Sequence, residues 1–190
     1  MESYAYRIGT GKHRASQTSQ AIQTIKIMLR SSLISSLSLL IIYGLAFVSA
    51  GSNEASLAFL EANSKKEDVV TLPSGLQFKV LRKGDGASHP IVSSPCACHY
   101  KGTLIDGTQF DSSYDRGSPS TFAPNQVIKG WTEAMQLMVE GDKWEMYIPS
   151  ELAYGDRGGG RGKIKGGDAL IFTMEIIEIK GEKVSAREDL

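Results

Sequence analysis

Residues 99–116 read His-Tyr-Lys-Gly-Thr-Leu-Ile-Asp-Gly-Thr-Gln-Phe-Asp-Ser-Ser-Tyr-Asp-Arg and carry the strongest structural signal in the chain. The dipeptide Asp106-Gly107 is typical of a two-residue hairpin turn. It lies between a strand predicted over 97–104 and a partner strand predicted over 108–111. Aromatic side chains and the acid Asp111 occur along this hairpin, so folding would gather them into an apolar pocket with a few polar groups at its edge.

The rest of the predicted sheet follows from alternating apolar and polar residues. Such alternation predicts strands over 76–81, 143–149 and 169–180, and helical spacing predicts one helix over 130–137, stopped by Gly141. A parallel α/β fold needs a helix for each crossover and is excluded by this pattern. The fold class is therefore α+β, an antiparallel sheet wrapped around one short helix.

The first 50 residues are predicted to be a signal peptide. Residues 33–50 are uncharged, follow Lys26 and Arg30, and end in Val-Ser-Ala, which favours cleavage after Ala50. Translation from Met28 would give a basic region of more ordinary length. The predicted location is the secretory pathway, with the protein either secreted or kept in the endoplasmic reticulum lumen. The alternative is a membrane anchor, since 18 uncharged residues are at the lower limit of spanning length.

Two shorter segments flank the main domain, which is predicted over 72–180. Residues 51–71 are expected to hold a helix over 55–68, capped by Ser52 or Asn53, and a linker. This helix would have only about four turns, and it can pack on the domain, fray or support a dimer. We expect a monomer. Residues 181–190 are a charged tail.

The charge distribution argues against a nucleic-acid partner, and the residues offer no metal site. Residues 51–190 contain 16 basic and 20 acidic side chains, a net charge of 16 − 20 = −4, with no basic face for a phosphate backbone. Cys96 and Cys98 are two residues apart on a predicted strand, where a disulfide would close a strained ring, so both are expected to be free thiols. The histidines are scattered, and we predict no metal and no cofactor.

Four short motifs occur in an order and spacing that resemble the FKBP-type peptidyl-prolyl cis-trans isomerases. They are Tyr-x-Gly from Tyr100, Phe-Asp-Ser-Ser from Phe110, Val-Ile-x-Gly-Trp from Val127 and Ala-Tyr-Gly around Tyr154. The preceding Leu-Pro-Ser-Gly-Leu-Gln-Phe, from Leu72, is similar to the start of the Mip (macrophage infectivity potentiator) branch. This resemblance covers 72–180 and implies a half-barrel sheet around its helix.

The resemblance also implies roles for individual residues. Trp131 is expected to form the pocket floor, Tyr154 to donate a hydrogen bond to the substrate carbonyl, and Asp111 to be a buried acid that accepts from Tyr100 and pairs with Arg116. The walls are expected to be Tyr100, Phe110, Val127, Ile128 and Phe172, with Ile164 as an apolar contact from the following loop. Considered singly, the aromatic residues also suit an ordinary core, Tyr154 an ordinary turn and Asp111 a capping position.

The implied activity is isomerisation of Xaa-Pro bonds in proline-containing polypeptides, which needs neither nucleophile nor metal. A dry aromatic pocket disfavours the planar, charge-separated amide, and a hydrogen bond made only to the twisted amide adds rate. The implied inhibitors are macrolides, and the implied process is assisted protein folding. The alternatives are a non-catalytic module that holds partners in the same cleft and an anchored surface protein that acts through its N-terminus.

The chain departs from the family pattern in two places. Residues 155–167, called the flap below, are rich in glycine and contain Arg157, Arg161, Lys163 and Lys165, so we expect a more mobile and more positive loop than usual. It would either favour acidic or extended partners or simply be solvated. Ser120 occupies a position where many members have an aromatic residue, which predicts a more open rim.

Overall fold

Strands predominate in the described part of the chain, with one α-helix before the first strand and another between the sixth and seventh strands. The structure, a computed structural model, describes residues 51–185. Its α-helices are α1 (Glu54–Asn63) and α2 (Lys129–Met135). Its strands are β1 (Val70–Thr71), β2 (Gln77–Arg82), β3 (Ser88–Pro90), β4 (Cys96–Leu104), β5 (Gln109–Ser112), β6 (Ser120–Phe122), β7 (Lys143–Ile148), β8 (Leu170–Ile179) and β9 (Lys183–Ser185).

The long strands β4 and β8 form the centre of the main sheet. They pair antiparallel from Cys96–Ile179 to Leu104–Leu170, and the sheet order is β1-β2-β7-β8-β4-β5, with β6 also paired to β4. Every pair in the sheet is antiparallel. Along β8, Leu170, Phe172 and Met174 are buried and alternate with partly exposed residues, so one face of the sheet is apolar.

Helix α2 covers this apolar face. Its Trp131, Ala134 and Met135 are buried and belong to one cluster with Phe172 and Met174 of β8. The helix is short, but its apolar residues recur at helical spacing and therefore face the sheet together. The predicted α+β fold, with an antiparallel sheet around one helix, is confirmed.

The hairpin between β4 and β5 has a different turn from the predicted one. The Gly107 amide donates to the Leu104 carbonyl at 3.0 Å, so Ile105 and Asp106 are the central residues, and the Leu104 amide donates to Thr108 at 2.9 Å. Gly107 follows at φ 86°, a conformation that glycine adopts without strain. The prediction of a two-residue Asp106-Gly107 turn was wrong, because the connection is a three-residue loop with glycine in the bulge position.

The boundaries of the longer strands agree with the predictions, whereas the end of helix α1 and the short strands do not. Helix α1 ends at Asn63 rather than at residue 68, and the chain continues in turns, in which the Lys66 amide donates to the Asn63 carbonyl at 3.1 Å. Strands β1, β3, β6 and β9 have two or three residues each, too few for a periodic pattern. Strand β9 lies in the segment predicted as a charged tail and pairs antiparallel with β3.

Helix α1 is fixed to the domain by buried polar contacts. The Asn63 amide donates to Gln77 Oε1 at 2.9 Å, and Gln77 Nε2 donates to the Leu60 carbonyl at 2.9 Å. At the other end, Ser56 Oγ accepts from the Ala169 amide at 2.8 Å, and Asn53 caps the helix by accepting from the Ser56 amide. Helix α1 is therefore packed on the domain rather than frayed.

The predictions for the N-terminal segment cannot be compared with this region. The signal peptide, its cleavage site and the start at Met28 lie outside the described residues. Within 51–185, no helix has the length and apolar character needed to cross a membrane.

Cys96 and Cys98 are free and buried, as predicted. Burial raises the pKa of Cys96 to about 11 and that of Cys98 to about 12, so both remain uncharged thiols.

The amide pair between α1 and β2 predicts a test of helix docking. The Asn63→Ala variant should lower the free energy of unfolding by about 1–3 kcal/mol, because it leaves the buried Gln77 Oε1 without its donor. Urea unfolding of the full chain measures this. The control is Glu61→Ala on the exposed face of the same helix, which should change stability by no more than about 0.5 kcal/mol. Equal effects of the two variants would contradict the docking role.

Candidate functional site

A cavity of about 860 Å³ opens between the apolar face of the sheet and the start of α2. All of the predicted site residues line it, although they come from different elements and a long stretch of chain. They are Tyr100, Phe110, Asp111, Arg116, Val127, Ile128, Trp131, Tyr154, Ile164 and Phe172. The structure therefore brings together what the sequence motifs indicated.

Trp131 lies at the base of this cavity with aromatic rings edge-on around it. The Tyr100 ring centroid is 5.1 Å from that of Trp131 at 78°, and the Phe172 centroid is 5.0 Å away at 80°. Phe122 completes the group at 5.9 Å and 75°. Edge-to-face contacts of this kind fix ring orientation. The indole is 5% exposed, so only a small part of it is available as a floor for a bound group.

Gly102 allows two further aromatic rings to meet at the wall. A Cβ atom at this position would lie 2.6 Å from the ring atoms of both Phe110 and Phe172. Without a side chain at Gly102, those two rings form an edge-to-face contact with centroids 5.4 Å apart. The Tyr-x-Gly motif is thus explained by close approach, because the glycine makes room for the aromatic wall.

A hydrogen-bonded triad of Asp111, Tyr100 and Arg116 lies at the rim. The Tyr100 hydroxyl donates to Asp111 Oδ2 at 2.6 Å, and Arg116 Nη1 donates to Asp111 Oδ1 at 2.6 Å. Arg116 Nη2 donates to the Tyr100 hydroxyl at 2.7 Å and to Ser120 Oγ at 3.1 Å. The Asp111 carboxylate is 46% exposed, so the prediction of a buried acid was wrong, while its predicted partners are the observed ones.

The triad holds Asp111 in its charged form. Partial burial raises the pKa of this carboxyl, but the hydrogen bonds from Tyr100 and Arg116 outweigh burial and keep the pKa below its usual value. Burial, together with the bond to Asp111, raises the pKa of the Tyr100 phenol. Both oxygens of Asp111 are already occupied by donors, so this arrangement positions neighbouring groups and does not favour proton transfer.

Tyr154 also lines the cavity and is accessible to solvent. The residue is 41% exposed. Its ring packs on the flap backbone at Gly159, where a Cβ atom would lie only 2.7 Å from Cδ1 of Tyr154. This contact fixes the ring and leaves the hydroxyl able to donate to a group bound in the cavity.

The flap is closed on itself beside Tyr154. The Gly159 amide donates to the Ile164 carbonyl at 2.9 Å, and the Ile164 amide donates back to Gly159 at 3.2 Å. Ile164 is 3% exposed and belongs to the main core. The flap thus supplies the expected apolar contact through Ile164 while its charged side chains lie at the surface.

The cavity also includes residues that were not assigned from sequence. They are Phe122, Gln126, Gly160, Arg161 and Lys163. Phe122 lies two residues beyond Ser120 on β6 and supplies an aromatic ring to the rim, which alternation along the strand could have indicated. Arg161 and Lys163 were recognised as flap cations, but the path of the flap that brings them to the cavity had no signal in the sequence.

The arrangement suits a reaction without covalent chemistry. An apolar floor and walls can exclude water from a bound group, and one accessible phenol can donate a hydrogen bond. No cluster of three or more His, Cys, Asp or Glu side chains suitable for a metal ion is found within residues 51–185. Binding, desolvation and orientation are what these residues can provide.

Family models match most of the described region. Residues 86–177 match the model of FKBP-type peptidyl-prolyl cis-trans isomerases, and residues 46–80 match the model of the domain amino-terminal to these isomerases. The two matches together include the cavity residues, helix α1 and most of the sheet.

Individual curated proteins named as macrophage infectivity potentiators are also similar to this chain in sequence. The macrophage infectivity potentiator of Trypanosoma cruzi is 52% identical over 122 residues, which are 64% of this chain and 62% of that protein. The outer membrane protein MIP of Legionella longbeachae is 50% identical over 65% of this chain and 52% of that protein. The chain thus spans about half to three fifths of the length of these curated relatives.

A solved structure has a similar fold over nearly its whole length. The crystal structure of a peptidyl-prolyl cis-trans isomerase from Pseudomonas syringae is 34% identical and has a TM-score of 0.61. The match covers 67% of this chain and 92% of that one. The likeness in sequence and fold therefore extends beyond the short motifs.

The lowered pKa of Asp111 predicts a pH-dependent contribution to stability. The pKa of Asp111 is lower in the folded than in the unfolded chain. Its carboxylate therefore gives its full stabilisation above the ordinary aspartate pKa of about 3.9, and this stabilisation is lost as pH falls through the pKa of the folded chain. Asp111→Asn should therefore be less stable than the unmodified chain near neutral pH, with a difference that shrinks in acid. Urea unfolding at neutral pH and at several values below about pH 5 measures this difference.

The matched control for this test is Asp115→Asn. Asp115 is an exposed carboxylate four residues away that accepts from the neutral amide of Gln109. The control should keep the acid dependence of the unmodified chain. If Asp111→Asn and Asp115→Asn gave parallel stability curves over the whole pH range, the role assigned to the triad would be refuted.

Proposed function

Because the chain belongs to the FKBP-type peptidyl-prolyl cis-trans isomerase family, we propose that it accelerates cis-trans isomerisation of Xaa-Pro bonds in polypeptides. The observation that carries this proposal is the aromatic cavity, in which Tyr100, Phe122 and Phe172 surround the Trp131 indole edge-on. A proline ring is an apolar, nearly flat group that suits this floor.

The proposed mechanism is desolvation with differential binding. Rotation about an amide bond meets a barrier of about 18–20 kcal/mol, because the planar form gains from a charge-separated resonance that water stabilises. Moving the bond into an apolar cavity removes that water and weakens the preference for the planar form. A site that binds the twisted amide more tightly than the planar one increases kcat.

Tyr154 is proposed as the donor to the substrate carbonyl next to the rotating bond. Its phenol is accessible and its ring is fixed on Gly159. Asp111 is proposed as a positioning residue, because its carboxylate holds the Tyr100 hydroxyl and the Arg116 guanidinium in place. The proline is proposed to contact Trp131 between walls formed by Phe110, Val127, Ile128, Ile164 and Phe172.

The proposed process is assisted protein folding outside the cytosol. The predicted signal peptide supports this location, as does the name of the Legionella longbeachae relative, which places that protein in the outer membrane. The protein would be secreted, kept in the endoplasmic reticulum lumen or anchored by its N-terminal segment. A monomer that acts without cofactor and without nucleic acid completes the proposal.

A second candidate is a non-catalytic module that holds partners in the same cavity. The observation that favours it is the rim, where Ser120 replaces an aromatic residue and only accepts a hydrogen bond from Arg116. A more open rim would exclude water less well and so weaken catalysis while preserving binding.

Isomerisation of a short Leu-Pro peptide by the full chain, with and without an FKBP-directed macrolide, separates the two candidates. Turnover that the macrolide inhibits supports the isomerase. Macrolide binding without turnover supports the binding module, and the absence of both would contradict both candidates.

The proposed donor makes Tyr154→Phe the most direct variant. We expect kcat/KM to fall about tenfold, because one hydrogen bond of about 1–1.5 kcal/mol to the twisted amide is lost. The control is Tyr114→Phe, since Tyr114 is also an exposed tyrosine but stacks on His99 away from the cavity. A Tyr154→Phe variant as active as the Tyr114→Phe control would exclude the phenol as donor.

A further inference from the structure

The cavity carries an excess of positive charge although the domain is acidic. Its charged lining consists of the carboxylate of Asp111 and the cations of Arg116, Arg161 and Lys163, a net charge of 3 − 1 = +2. Residues 51–190 together carry 16 − 20 = −4. Cations gathered at the opening of an apolar cleft raise the local concentration of negatively charged ligands.

Only part of this positive charge is neutralised by the protein. Arg116 is paired with Asp111 at 2.6 Å. Arg161 and Lys163 take part in none of the ion pairs formed among residues 51–185. Two flap cations at the cavity are therefore available to a bound partner.

Lys163 extends across the edge of the cavity. Its ammonium Nζ lies 3.4 Å from the carbonyl oxygen of Phe110, a residue of the aromatic wall on β5. The outer end of a group bound beside that wall would contact the Lys163 ammonium. The long side chain of lysine can shift so that its ammonium donates to a carboxylate, because its contact with the carbonyl is long and exposed.

The backbone at Arg161 gives independent support for a role of its side chain. Arg161 has φ 57° and ψ 40°, and it is the one residue other than glycine with positive φ among residues 51–185. Its neighbours Gly160 and Gly162 also have positive φ, at 59° and 88°. Glycine would adopt this conformation without the strain that a Cβ atom introduces, so this arginine is strained, and backbone strain of this kind is concentrated at binding sites and active sites.

We propose that Arg161 and Lys163 select polypeptides that carry a Glu or Asp side chain next to the isomerised proline. This inference rests on the proposed isomerase function, because it assumes that the proline occupies the cavity. A residue adjacent to the proline lies only about 3.3–3.6 Å further along an extended chain, within reach of cations that line the same cavity.

The size of the preference follows from the exposure of the two cations. Exposed ion pairs contribute little individually, so two of them should favour an acidic peptide over its neutral counterpart by about threefold to tenfold in kcat/KM. Because such pairs are screened by salt, the preference should fall toward one at high ionic strength. The charge acts on binding, so most of the effect should appear in KM and in the dissociation constant.

The experiment compares matched peptides on the full chain. Glu is placed before or after the proline in one series and replaced by Gln in the other, and both kcat/KM and the calorimetric dissociation constant are measured at low and high salt. We expect kcat/KM at low salt to be higher for the Glu peptide than for the Gln peptide. This Glu/Gln ratio should decrease in Arg161→Gly and in Lys163→Gln, and it should fall to one in the double variant. Arg161→Gly should keep the thermal unfolding midpoint, because glycine relieves the left-handed backbone.

Two flap cations outside the cavity provide the controls. Arg157 and Lys165 belong to the same flap but do not line the cavity, so Arg157→Gln and Lys165→Gln remove the same charge and should keep both the rates and the Glu/Gln ratio. A decrease in the ratio that is equal in the controls and in Arg161→Gly would overturn the specific roles of Arg161 and Lys163.

The outcomes distinguish this inference from the proposed function. Equal kcat/KM and equal dissociation constants for the Glu and Gln peptides, with clear turnover of both, would overturn the selection and leave the isomerase intact. Tighter binding of the Glu peptide without turnover of either would support the selection and overturn the isomerase.

Discussion

The edge-on packing of Trp131 against aromatic rings from the two central strands is the contact on which the site depends. Tyr100 comes from β4 and Phe172 from β8, and both strands must pair in register for their rings to meet the same indole. Gly102 is part of this constraint, because any side chain there would displace the Phe110 and Phe172 rings. The antiparallel sheet, the short helix and the cavity are thus one packing arrangement.

Where Asp111 meets the cavity, the rim places a charged group beside the apolar interior without leaving its carboxylate unpaired. Asp111, Tyr100 and Arg116 satisfy one another by hydrogen bonds, so the cavity wall formed by the Tyr100 ring stays apolar while its hydroxyl is engaged outside. An unpaired carboxylate at this position would attract water toward the cavity. The triad therefore helps to maintain the dry environment that an amide rotation needs.

The alternating segments were sufficient for the fold class, and the family resemblance of the ordered motifs was sufficient for ten of the fifteen residues that line the cavity. The sequence was insufficient where the outcome depends on tertiary contacts. The last residue of helix α1, Asn63, donates a buried hydrogen bond to Gln77 on strand β2. Arg161 reaches the cavity because the flap closes through the Gly159–Ile164 bridge and several positive φ angles. Neither contact has a local sequence pattern.

The division between an uncharged interior and a charged flap has a physical reason. Rotation of an Xaa-Pro bond creates no formal charge, so a cation near the cavity stabilises the planar and twisted amides of an acidic peptide almost equally. Such uniform binding changes which substrate is held and leaves the rotation barrier nearly unchanged. Tyr154 and the aromatic floor can thus supply the rate, while Arg161 and Lys163 can vary in charge without altering the chemistry. A flap built largely from glycine suits this separation, because its cations can be exchanged while Ile164 keeps its place in the core.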